Sequence, residues 1–174
     1  KMPVIWRGPM VSGAVMQLLS QTEWGELDYL IVDTPPGTGD VQLTLLQRIP
    51  LTSAVVVTTP QKVSISDCKK GIEMINKLDV PISGLIENMS WFQPDSMEKK
   101  YYLFGKDGGK ELAKEYSLDL LAQLPLVELH EDLDLQNHEL LKIEFDNIST
   151  KVMDSVKNLK DKRSRGIPQI NITK

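Results

Sequence analysis

An aspartate at position 33 closes the apolar run Leu27-Asp28-Tyr29-Leu30-Ile31-Val32, and Thr34-Pro35-Pro36-Gly37-Thr38-Gly39-Asp40 follows at once. A carboxylate at the end of a buried strand, backed by a glycine-bearing turn, suits the binding of a magnesium-bound phosphate. Magnesium is a hard cation that takes one or two carboxylates together with phosphate oxygens and water. Gly37 and Gly39 carry no side chain, so backbone N–H groups in this turn can approach a terminal phosphate closely. Pro35 and Pro36 stiffen the entry to the turn. Asp33 is thus the candidate metal-side carboxylate, held directly or through water. The plainer reading is a proline-and-glycine turn in which Asp40 caps the next helix.

The other chemistry-bearing residues give weaker signals. The only approach to a phosphate-loop pattern is Gly105-Lys106-Asp107-Gly108-Gly109-Lys110-Glu111. Glu111 stands where a hydroxyl should touch magnesium, and its charge would repel phosphate. The segment reads as a glycine turn opening a helix. The single cysteine, Cys68, cannot form an internal disulfide, which favours a reducing compartment. Nor can it alone hold a metal cluster, which takes about four thiolates. It reads as a small, partly buried thiol. His130 and His138 lie in an acidic stretch with nothing to make them converge on a metal. Trp91, Phe92, Tyr101, Tyr102 and Phe104 bracket a polar insertion over 90–105, and packing of that insertion on the domain accounts for them.

These residues need a scaffold, and the hydropathy pattern supplies one. Short apolar runs predict strands at 27–33, 53–59, 81–88 and 118–124, with helices at about 10–21, 40–48, 64–78, 107–116 and 140–160. Strands that are apolar throughout and alternate with helices imply an α/β fold, a mostly parallel sheet covered on both faces. Ligands then sit beyond the carboxyl ends of the strands, at 33–40, 58–61 and 87–90.

Taken together, Asp28–Asp33, Pro35-Pro36-Gly37-Thr38-Gly39-Asp40, Thr59-Pro60-Gln61 and Glu87-Asn88-Met89 resemble the Mrp family of nucleotide-binding proteins, in the ParA/MinD-like branch of P-loop ATPases. Trp6–Met10 and Trp24–Asp28 fit the same family, and the resemblance covers about residues 4–126. Lys100–Gly105 looks most like its high-chlorophyll-fluorescence plastid-type subgroup. The resemblance implies a three-layer P-loop NTPase fold that binds ATP and magnesium, dimerises with a second copy, and carries iron–sulfur clusters to apo client proteins. By the same resemblance, Asp33 and Gly37 would be catalytic, and Pro36, Gly37, Thr38 and Gly39 would sense the terminal phosphate. Arg7 and Gly8 would lie near the phosphates, Asn88 would read the adenine edge, and Pro125 would pack on the base. In the family the phosphate loop lies upstream of the first residue here. The chain is therefore expected to be truncated, without the first strand, phosphate loop and first helix, and to bind ATP weakly by itself. The whole protein is expected to be a slow ATPase. Many relatives carry a Cys-x-x-Cys pair after the Glu-Asn-Met segment. Here Ser90–Met97 has no thiol, as in the plastid-type subgroup, so the cluster ligands are not evident.

Composition limits the alternatives. The 174 residues carry a net charge of −4, which gives no general nucleic-acid-binding face. No stretch approaches the roughly 20 apolar residues of a membrane span. A cytoplasmic, matrix or stromal location fits best. Residues 1–160 are expected to form the partial NTPase domain and 161–174 a basic tail or linker. The competing function is a ParA/MinD-like positioning protein whose nucleotide state controls attachment to a membrane or to DNA.

Overall fold

The computed structural model describes residues 8–34, 37–94, 99–127 and 139–166. Three strands form one sheet in the order β1 (Ala54–Thr58), β2 (Ile82–Glu87), β3 (Leu120–Gln123), all parallel. The five helices are α1 (Gly8–Gln21), α2 (Asp40–Arg48), α3 (Lys62–Lys77), α4 (Gly108–Glu115) and α5 (Glu139–Gly166). Parallel strands cannot be joined by tight turns, so each crossover carries a helix. Here α3 joins β1 to β2, and α4 joins β2 to β3.

Side-chain alternation along the strands sorts residues into two layers. Val56 and its register partner Leu85 face α3 and α4, clustering with Ile72, Leu112 and Ala113. Ile86, Leu121, Ala122 and Leu124 pack with Ile148 and Val152 of α5 on the other side. This is the expected three-layer α/β arrangement. The α5 layer covers β2 and β3. At the margin, β1 pairs with β2 alone among the described strands, and Val55 and Val57 are 37% and 55% exposed.

Gly84 is needed where β2 meets β3. Its φ is +151°, and a Cβ there would lie 2.6 Å from Leu121 Cγ and 2.8 Å from the Asp119 carbonyl oxygen. Gly84→Ala is expected to cost about 2 kcal/mol, read as a lowered urea midpoint with an unchanged slope. A neutral result would mean that β3 moves away freely.

The expected strand at 27–33 is not formed. Residues 23–34 run without helix or strand between α1 and α2, with Leu27, Leu30 and Ile31 exposed, Ile31 to 91%. An apolar run becomes a strand only when neighbouring backbone accepts from its N–H groups and donates to its C=O groups, and no described strand pairs with it. Helices α1 and α2 pack mainly on each other. Asp40 is the first residue of α2 and Gly39 its cap, so Asp40 does not cap the helix with its side chain but places its charge in the first turn. Helix α5 continues to Gly166, past the helix end expected at about residue 160. No helix among the described residues is long and apolar enough to cross a membrane.

Candidate functional site

The three parallel strands deliver their carboxyl ends to one edge, where β1 ends in Thr58-Thr59-Pro60, β2 in Glu87-Asn88 and β3 in Gln123-Leu124-Pro125. Asn88 is fastened to β1 by its N–H, which donates to the Thr58 carbonyl at 2.7 Å. The chain then turns through Met89, at φ 54°. Ser90, itself buried, donates its N–H to the Leu124 carbonyl at 2.8 Å and its hydroxyl to the Glu87 carbonyl at 2.9 Å. Leu124 N–H donates to the Glu87 carbonyl at 2.8 Å, and Leu126 N–H to that of Trp91 at 2.7 Å. These bonds lace the segment after β2 to the segment after β3. Asn88 and the buried Pro125 therefore belong to one laced pair of loops.

The Asn88 side chain is half committed. Its Oδ1 accepts the Met89 N–H at 2.9 Å. A backbone N–H can only donate, so the oxygen must face it, and the two donors of Nδ2 have no partner among the described residues. At the end of β1, Ser64 of α3 accepts the Thr59 N–H at 3.1 Å and shares a hydrogen bond with Thr58 Oγ1 at 3.0 Å. That anchors the start of α3, which Gln61 enters without a side-chain cap bond. Thr59 Oγ1 is buried with no hydrogen-bond partner among the described residues.

Glu87 is a residue whose role the sequence did not reveal. It closes β2 at 0% exposure. One carboxylate oxygen accepts the Gly109 N–H at the start of α4, where backbone donors and the helix dipole favour negative charge. The other accepts Gln123 Nε2 at 2.8 Å, and that amide also donates to Asp107 Oδ1 at 3.2 Å. Asp107 caps α4 in the left-handed region, φ 59°. The one available signal was a charged residue ending an otherwise uncharged run, Ile82–Glu87.

The segment over Gly105–Lys110 is a helix-opening turn, as expected. A Cβ on Gly108 would lie 2.6 Å from the Pro60 carbonyl oxygen, and one on Gly109 2.8 Å from Glu87 Cβ. The glycines allow close packing of this turn on β1 and β2. Beside it, a cleft of about 590 Å³ between α3 and α4 is lined by Pro60, Lys62, Ile65, Phe104 and Lys106, among others. On its wall Lys69 pairs with Glu115 at 2.8 Å, a hydrogen bond that raises the Lys69 pKa. Cys68 is half-buried, its thiol donating to the Val57 carbonyl at 3.4 Å. The insertion packs through an antiparallel bridge between Phe92 and Tyr101, and Lys100 lies 3.9 Å from the Trp91 ring centroid.

The other sequence candidates are placed elsewhere. Asp33 is exposed in the connection between α1 and α2, and Gly37 (φ +92°), Thr38 and Gly39 continue the same exposed stretch. The structure does not bring this turn into a paired strand of the sheet. Gly8 begins α1, while Arg7, Pro36, His130 and His138 lie outside the described residues. Among the described residues no group of three or more His, Cys, Asp or Glu could hold a metal ion.

A model of the family described as "ParA: NUBPL iron-transfer P-loop NTPase" matches residues 1–160. The chain belongs to this family. An iron–sulfur cluster carrier protein of Pseudomonas fragi is 49% identical over 133 residues, covering 76% of this chain and 46% of that protein. That of Escherichia coli K12 is 52% identical over 132 residues, covering 75% and 36%. The mouse iron–sulfur cluster transfer protein NUBPL is 51% identical over 124 residues, covering 71% and 39%. A nucleotide-binding protein of Archaeoglobus fulgidus in complex with ADP superposes with a TM-score of 0.61 at 32% identity, covering 80% of this chain and 53% of that one. The chain thus spans less than half the length of these curated relatives, and the three-stranded parallel sheet is part of an iron-transfer P-loop NTPase architecture.

Proposed function

We propose that this chain forms the base-binding and switch portion of an ATP-binding, ATP-hydrolysing iron–sulfur cluster carrier. One observation carries the proposal: Asn88 and Pro125 lie on interlaced loops at the carboxyl edge of a parallel sheet in a member of this family. The edge suits a nucleotide base. Asn88 Nδ2 keeps two donors for ring acceptors, Pro125 offers an apolar wall, and the orphaned Thr59 hydroxyl wants a polar partner. The resemblance to nucleotide-binding relatives adds Arg7, Gly8 and the Pro36–Gly39 turn as phosphate contacts.

In this reading Asp33 is the magnesium-side carboxylate. Bound magnesium would neutralise charge on the terminal phosphates during their displacement. To serve it, the Leu27–Val32 run must pair as a strand, which turns Asp33 toward the carboxyl edge. Gly37 already holds φ +92°, a conformation that frees its neighbouring N–H groups to face a phosphate without a Cβ in the way.

The cluster is cargo. With one cysteine among 174 residues, and that thiol turned to the Val57 carbonyl, these residues do not supply about four thiolates. Thiols from a second copy, from apo client proteins or from other segments of a longer polypeptide would complete its coordination. A homodimer in a reducing compartment fits that requirement.

The direct test is calorimetric titration of the full-length protein with ATP and magnesium, followed by transfer of a reconstituted cluster to an apo ferredoxin. Saturable ATP binding and ATP-stimulated transfer are expected; absence of both would end the proposal. Asn88→Ala is expected to weaken ATP binding about tenfold, the loss of one or two hydrogen bonds to the base. Tripolyphosphate binding should stay within about twofold, since no phosphate contact is removed.

A further inference from the structure

The buried network around Glu87 goes beyond that reading while resting on it. We infer that Glu87, braced by Gln123 and by the first turn of α4, is a positioning residue of the base site, fixing the turn from which Asn88 reaches the ligand.

A carboxylate at 0% exposure has lost its hydration, and no ion pair to it is formed among the described residues. A buried charge of this kind is costly unless hydrogen bonds replace the water. Its two oxygens are divided between two elements. One is held by the Gly109 N–H of α4, the other by Gln123 Nε2 at the end of β3. The carbonyl of the same residue accepts from Leu124 N–H and from the Ser90 hydroxyl. Glu87 therefore ties β2, β3, α4 and the following turn together at a single position, and Asn88 is the next residue.

A purely architectural role could have been filled by an apolar side chain, which carries no desolvation cost. A carboxylate instead fixes direction as well as depth. Gly109 lets the backbone of α4 come close enough to hold it, because a Cβ there would lie 3.0 Å from Glu87 Oε2. Gln123 shares its amide between Glu87 and Asp107, so the cap of α4 and the base-facing turn are read by one group. Displacing the carboxylate should tilt the Glu87–Ser90 backbone and with it the Nδ2 donors of Asn88. The phosphate contacts lie on other segments and should not follow.

The test compares ATP with inorganic tripolyphosphate, which has the phosphates and no base, on the full-length protein by calorimetry. Glu87→Gln keeps the size and one acceptor but puts a second amide against Gln123. It is expected to weaken ATP binding about tenfold with tripolyphosphate within about twofold. Gln123→Met, at a half-buried position, removes the brace without touching Glu87 and should give the same selective loss, about threefold. It decides the matter should Glu87→Gln fail to fold. Equal loss for both ligands, or no loss for either, would overturn the inference. Failure of the wild-type protein to bind ATP would instead remove the base site itself, a result distinct from both.

Discussion

Leu85→Ala is expected to destabilise the protein by about 3 kcal/mol, within the range of roughly 2–5 kcal/mol for emptying a well-packed leucine site. Leu85 is 0% exposed at the middle of the central strand β2, in one cluster with Val56, Ile72, Leu112 and Ala113. Its neighbours come from β1, α3 and α4, so the vacated volume is walled by three elements. Collapse into it would need α3 or α4 to move against β2. Movement of α4 is opposed by Glu87, on the same face of β2 two residues on, which holds the Gly109 N–H. The measurement is the urea midpoint at constant slope. A loss under about 1 kcal/mol would mean that the helix layer settles onto the sheet without resistance.

Asp33→Asn is expected to lower magnesium-dependent ATP hydrolysis by the full-length protein by about 10²–10³-fold, the scale of removing one electrostatic contact to a transition state. The substitution is isosteric and removes only the charge. Asp33 is exposed, so folding stability should stay within about 0.5 kcal/mol. ATP binding measured without magnesium should also be unaffected. Titrating magnesium separates the outcomes: a raised requirement for the metal supports the assignment. A full rate at ordinary magnesium would show that Asp33 does not face the metal in the working molecule.

The two halves of the chain differ in how far their residues announced their structure. From Ala54 to Gln123 the alternation of apolar strands and amphipathic helices was readable, because each strand finds its parallel neighbour within the same stretch. The carboxyl-edge position of Asn88 followed directly from that pattern, whereas Pro125 was implied only by the family resemblance. At Leu27–Val32 the same reasoning named a strand that is not formed. Composition reports that a run is suited to burial in a sheet, but pairing depends on which other backbone is alongside. Asp33 lies at the end of that run and is exposed here, so its placement depends on what the run pairs with. The role of Glu87 was illegible for a different reason. A lone carboxylate ending a strand looks like solvent-facing charge until α4 is seen to close over it. The exchange of roles between Asp40 and Gly39 at the start of α2 is a one-residue matter that cap preferences do not resolve. The Gly105–Lys110 turn was read correctly because Glu111 made it unfit for phosphate.

The margin at β1 has a practical consequence for the chain in solution. A strand that pairs on one side only among the described strands, with Val55 and Val57 part-exposed, is a template for intermolecular β-pairing. Concentrating the polypeptide should drive association through that rim, and a chaperone that holds extended, valine-rich segments would engage it first. Recombinant yield and shelf life will therefore depend on what shields five residues, Ala54–Thr58.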